Sequence, residues 1–145
     1  MIILRHFAEQ SAVQQNHSKL RVLVDSNVWV SGIVFGGISQ KCIELAYNHY
    51  SVVMTEDILS EITYVLKAKF APSYKLLRAL RIELDSIYID TERPKIVIRD
   101  PKDEHIIIAA LELGAGIIVT GDKDILTFDH PDILVVTPAE FLDLK

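Results

Sequence analysis

Four short runs in this chain, Leu20–Val24, Val52–Met54, Ile117–Thr120 and Leu134–Val136, are almost wholly branched and apolar, with no alternation of polar and apolar residues. A strand with one wet face alternates, so runs of this kind belong to a sheet covered on both sides, which in practice means parallel strands with helices packed above and below. The intervals agree. Ser39–Asn48 repeats Ile43, Ala46 and Tyr47 at helical spacing, and Thr55 precedes Glu56 and Asp57 as an N-cap precedes an acidic first turn. That helix is expected to reach about Lys69 with Ile58, Ile62, Val65 and Leu66 inward. A further helix follows Pro72 to about Leu84 with Leu76, Leu77 and Leu80 inward, and another opens at Asp100-Pro101 and closes at Gly114. Ser86–Ile89 and Lys95–Ile98 are two extended candidates, of which the second is the better sheet strand. Gly121–Phe128 reads as a turn and short helix, and Pro138 starts a terminal helix. The stretch holding Gly32, Gly36 and Gly37 reads as a loop. Residues 1–19 have no strong period and form an extension outside the core, a frayed helix or mobile arm.

Composition narrows the class. The 145 residues suit one domain with one core, since a chain of this size buries roughly 70% of the surface it exposes when unfolded. No apolar run nears the roughly 20 residues of a membrane-spanning helix, and Arg5 and His6 interrupt the apolar Met1–Leu4 before a secretory segment can form. Cys42 is the single cysteine, which excludes an internal disulfide and a thiolate metal cluster within one chain. A reducing, cytoplasmic setting without membrane is expected. The five histidines show no zinc-type spacing, and Gly36-Gly37 lacks the Lys-Ser/Thr ending of a phosphate loop. Trp29 and Phe35 could stack on bases, but after a buried strand such rings usually pack on the core.

In parallel folds ligands gather at the carboxyl ends of strands, and this chain places acids there. Asp25 ends the first strand and Asp122 follows the third. Glu61 lies at the margin of a buried helical stripe, and Asp103 lies two residues beyond Pro101. Each has a plain structural reading: Asp25 as a turn former, Asp103 and Asp122 as helix caps, Glu61 as a side chain reaching water. Asp124 shares the cap reading of Asp122. Together they carry a different implication. Two unit charges about 4 Å apart repel by about 4 kcal/mol at an effective dielectric near 20, so converging carboxylates require raised pKa values or bound cations. Hard cations such as Mg²⁺ or Mn²⁺ prefer all-oxygen ligands of this type.

The net charge of −5 argues against an anionic partner, but its distribution does not. Residues 67–102 carry nine Lys and Arg against five Asp and Glu, whereas from Asp103 onward nine acids face two lysines. A chain so divided can hold cations on one face and guide an anion with another, or can simply present solvated helices.

Val24-Asp25-Ser26-Asn27-Val28, Leu59-Ser60-Glu61-Ile62 with Val65-Leu66, Arg99-Asp100-Pro101-Lys102-Asp103 and Ile118-Val119-Thr120-Gly121-Asp122-Lys123-Asp124, in that order, resemble the PIN-domain ribonucleases. The nearest likeness is to the VapC-like toxin branch, and Thr137-Pro138-Ala139-Glu140-Phe141-Leu142 resembles its usual ending. The resemblance covers residues 20–145, and the extension before it has no counterpart. It implies an α/β fold, a three-layer α/β/α sandwich around a short parallel sheet, with an acidic pocket that binds Mg²⁺ or Mn²⁺ and cuts single-stranded RNA. Asp25, Glu61, Asp103 and Asp122 fall on the catalytic, metal-binding positions, with Asp124 as an auxiliary acid. Ser26, Asn27 and Thr120 would hold the carboxylates in place. Lys67, Lys69, Lys75, Arg78 and Arg81 would make sequence-neutral phosphate contacts. The resemblance also implies an antitoxin partner and a homodimer. The competing expectations are a catalytically silent PIN-like module that binds RNA or protein, and a receiver-like domain phosphorylated on a strand-end acid.

Overall fold

The computed structural model describes residues 20–71 and 104–144. Outside them lie the N-terminal extension, the helix expected after Pro72, both extended candidates between 86 and 98, and the Asp100-Pro101 helix start. Asp103, Lys75, Arg78 and Arg81 lie outside them too.

The described elements run β1 (Arg21–Val24), α1 (Ser26–Val34), α2 (Gly37–His49), β2 (Ser51–Val53), α3 (Glu56–Lys69), α4 (Glu104–Leu113), β3 (Ile117–Val119), α5 (Lys123–Leu126), β4 (Leu134–Val136) and α6 (Pro138–Asp143). The strands form one sheet, all parallel, in the order β2-β1-β3-β4. From β1 the chain moves one way to β2, then returns across β1 to β3 and continues to β4. Right-handed crossovers send connections running in opposite directions to opposite faces, giving a three-layer α/β/α sandwich. The reversal also leaves a crevice between the carboxyl ends of β1 and β3, the usual ligand position in such sheets.

Burial explains the strand sequences. Val22, Leu23 and Val24 of β1 and Ile118 and Val119 of β3 are wholly inaccessible, as the central strands of a doubly covered sheet must be. Edge strand β4 exposes Leu134 and buries Val136. Helix α2 lays Cys42, Ile43, Ala46 and Tyr47 against the core, and α3 buries Ile58, Leu59, Ile62 and Leu66, with Val65 only half-buried. The Thr55 hydroxyl caps α3 by accepting from the Ile58 amide at 3.2 Å, and α4 closes on Gly114 at φ +65°.

One expectation fails. Ser26–Val34 is a helix, not a loop. Its β-branched residues and Gly32 are poor helix formers, but Val28, Trp29 and Ile33 are buried, and tertiary burial outweighs a propensity deficit of tenths of a kcal/mol per residue. The glycine has a packing reason. A Cβ on Gly32 would stand 2.7 Å from Ile43 Cδ1 and 3.2 Å from the Gln40 backbone nitrogen, so its absence lets α1 sit directly on α2. Trp29 packs edge-on against Tyr47 at 6.3 Å inside this contact, whereas Phe35, beyond the last turn, is exposed and meets only the edge of Phe70 among ring partners in the described residues.

Candidate active site

Register determines the first pairing. Val24 of β1 lies beside Val119 of β3, and the Asp25 amide donates to the Val119 carbonyl at 2.9 Å, so the next residues on the two strands, Asp25 and Thr120, emerge side by side. Asp25 is the N-cap of α1 and Thr120 leads into α5. Both are buried.

The Asp25 carboxylate is held at both oxygens. Oδ1 accepts from the Ser26 amide at 2.7 Å, and Oδ2 accepts from the Thr120 hydroxyl at 2.7 Å. Burial nonetheless raises its pKa above the ordinary Asp value. The Thr120 and Ser26 hydrogen bonds oppose that rise, the negative charge of Glu61 adds to it, and His105 opposes it. Asp25 is therefore a carboxylate in want of positive charge.

Glu61 comes from α3, where it sits beside the buried stripe. The Ser26 hydroxyl lies 2.6 Å from Glu61 Oε2 and 3.4 Å from Asp25 Oδ1, and its one proton favours the shorter contact. His105, in the first turn of α4, places Nε2 3.1 Å from Glu61 Oε1. Asp122 follows β3 and caps α5 by accepting from the Asp124 amide at 2.9 Å, while its own amide donates to Thr120 Oγ1 at 3.0 Å. Thr120 thus ties Asp25 to the loop that carries Asp122.

These groups line an open cleft of about 160 Å³ bounded by Asp25, Ser26, Asn27, Glu61, His105, Ile106, Asp122 and Ile125. The sequence-derived residues Asp25, Glu61, Asp122, Ser26 and Asn27 meet there, with Thr120 directly behind Asp25. Asp124 is exposed in the first turn of α5 and does not line the cleft. Lys67 and Lys69 are exposed in the last turn of α3. His105 was missed from sequence because no histidine spacing marks it. The signal available was its place two residues after Asp103, at the start of a helix aimed at the strand ends.

The donor set fits a hard divalent cation in kind. The acids offer oxygen ligands, and the desolvated Asp25 beside Glu61 gains from a nearby positive charge. Among the described residues no three His, Cys, Asp or Glu side chains are grouped closely enough to hold an ion by themselves.

The model of the family described as "PIN domain" matches residues 21–124. Among solved structures, the chain is similar to one in the crystal structure of VapBC2 from Rickettsia felis bound to a DNA fragment from their promoter. The TM-score is 0.59 at 17% identity, over 81% of this chain and 98% of that one. At that identity the likeness concerns the fold. No curated protein matches the chain.

Proposed function

The chain belongs to the PIN domain family, and from that membership we propose that it is a Mg²⁺- or Mn²⁺-dependent endoribonuclease that hydrolyses single-stranded RNA. Nuclease action on phosphodiesters is general in that family. The observation that carries the proposal is the meeting of Asp25 and Glu61 on the Ser26 hydroxyl, with Asp122 in the same cleft at the point where the strand order reverses.

Asp25, Glu61 and Asp122 would hold the cation, with Asp103 and the auxiliary Asp124 as further acids. When bound, a divalent ion lowers the pKa of a coordinated water and offsets charge on the scissile phosphate. The chain's own contribution is placement. Thr120 and the Ser26 amide fix the Asp25 carboxylate so that it need not reorganise when the phosphate arrives. Lys67 and Lys69 offer backbone contacts that carry no base information, joined by Lys75, Arg78 and Arg81. Binding of this kind weakens steeply with salt.

A role as the toxin of a toxin–antitoxin pair, with an antitoxin partner, is supported by the similarity to a chain of the VapBC2 structure; a homodimer and a cytoplasmic setting belong to the same proposal. A second reading is a PIN-like module that binds RNA or protein without cutting. One assay separates the two: labelled single-stranded RNA incubated with Mn²⁺, with Mg²⁺ and with chelator, using the wild type, Asp25→Asn and Asp122→Asn. Cation-dependent cleavage lost in both variants is expected. Cleavage that survives chelation, or survives in both variants, sinks the mechanism, and no cleavage by the wild type favours the silent module.

A further inference from the structure

Glu61 presents a problem that the other acids do not. Asp25 is buried and bonded at both oxygens, but the Glu61 side chain is 46% exposed, on a flexible stem, beside a carboxylate that repels it. Burial does not keep it in the cleft. Two contacts do: the hydrogen bond from Ser26 Oγ to Oε2, from the first residue of α1, and the 3.1 Å approach of His105 Nε2 to Oε1, from the first turn of α4. Serine has one proton to give and secures one oxygen. The second oxygen, and with it the rotation of the carboxylate plane, depends on the histidine.

The His105 ring is itself fixed. Its side chain is 22% exposed, and Ile106, next to it on α4, is buried and also lines the cleft. Its Nδ1 is buried and has no hydrogen-bond partner among the described residues. The polar contact of this imidazole is therefore directed at Glu61. With Nε2 facing a carboxylate, that nitrogen is not available to take a proton from a water. A hydrogen bond across this contact needs a proton on Nε2, which the neutral Nε2–H tautomer and the imidazolium both carry, so it does not depend on the charge of the ring.

We propose that His105 is a positioning residue that holds the Glu61 carboxylate over the cleft, opposite the hold exerted by Ser26, so that Glu61 is kept where it can join the other acids on a cation. The role rests on the cation-dependent reading above. It attaches α4, which shares no strand with α3, to an acid that α3 supplies.

The test compares wild type, His105→Leu and His105→Gln as full chains. Leucine keeps comparable bulk and removes the donor, while the glutamine Nε2 can donate from a similar reach. Two readouts are taken: the Mn²⁺ concentration giving half of the maximal melting shift without RNA, and kcat and KM for RNA cleavage. Removal of a residue that orients a metal ligand typically costs about 10–100-fold in metal affinity or activity. We expect a shift of that order in the Mn²⁺ midpoint and in kcat for His105→Leu, little change in KM, and recovery of most of both losses in His105→Gln. A leucine variant equal to wild type in both readouts overturns the proposal, as does a folded glutamine variant as impaired as leucine. If wild type melts higher with Mn²⁺ and the midpoints separate as expected but no RNA is cut, the positioning role stands and the ribonuclease reading falls. Wild-type melting that ignores Mn²⁺ overturns both.

Discussion

The Thr120 hydroxyl donates to Asp25 Oδ2 across 2.7 Å, joining the ends of the two central strands by a buried bond between residues 95 apart in sequence. The same oxygen of Thr120 accepts from the Asp122 amide, so one side chain serves both strand-end acids. Thr120→Val keeps the shape and removes both functions. Leaving buried polar groups unpaired costs about 1–3 kcal/mol. Chemical denaturation should register a loss of that order, with cleavage reduced about 10–100-fold, as for other residues that orient metal ligands. Thr120→Ser should keep most of each. A valine variant with wild-type stability and activity would show that the bond is incidental.

The raised pKa of Asp25 fixes the sign of a pH effect. Burial, foremost among its causes, lifts the folded-state value above the ordinary 3.8, so the charged group costs stability above the folded pKa. The cost disappears as pH falls to 3.8. In cation-free protein Asp25→Asn should therefore melt above wild type at neutral pH, and the gap should narrow through the window that opens upward from 3.8. Glu140 runs the other way, because bonds from the Thr137 backbone and hydroxyl lower its pKa, and its contribution is lost on acidification. Glu140 is common to both proteins, so the difference between them isolates Asp25. A gap that is constant with pH would contradict this assignment.

Gly32→Ala tests the close contact of α1 with α2. The new Cβ would meet the flexible end of Ile43, which can turn, and the backbone of Ser39 and Gln40 at 3.3 and 3.2 Å, which must shift. Overpacking of this type costs about 1–3 kcal/mol. Since Asp25 caps α1, cleavage should fall along with the melting temperature. Unchanged melting would mean that α2 yields freely.

Cys42 offers a probe of opening. It is wholly inaccessible, and burial pushes its thiol up to about 12. The thiolate is the reactive form, so a thiol reagent at neutral pH should modify native protein only through unfolding events. Titration with denaturant should raise the rate along the unfolding curve. Fast modification of the native state would contradict the core position of α2.

The sheet was legible because its runs are short, branched and free of alternation, and the ends of β1, β3 and β4 fall within a residue of expectation. The Thr55 cap and Gly114 stop were legible for local reasons, a hydroxyl before an acidic turn and a residue at positive φ. Helix α1 was not. Its local signals, Gly32 and four β-branched residues, oppose a helix, and what forms it is burial of Val28, Trp29 and Ile33 against distant elements. In the site, strand-end logic located Asp25 and Asp122, and both also perform the capping that a purely structural reading gives them. His105 stood out only by its place two residues after Asp103, because its contact with Glu61 comes from α4 approaching α3, a relation that residue spacing does not show.

The bond between Thr120 and Asp25 also dictates when the cleft can exist. Strand β1 is made first, and its neighbour β3, the Thr120 donor and Asp122 follow about a hundred residues later. Such distant pairing forms only after the intervening chain is available. Until the ribosome has passed Asp122, Asp25 has no pocket around it, so the acidic centre forms only once both strand ends are present.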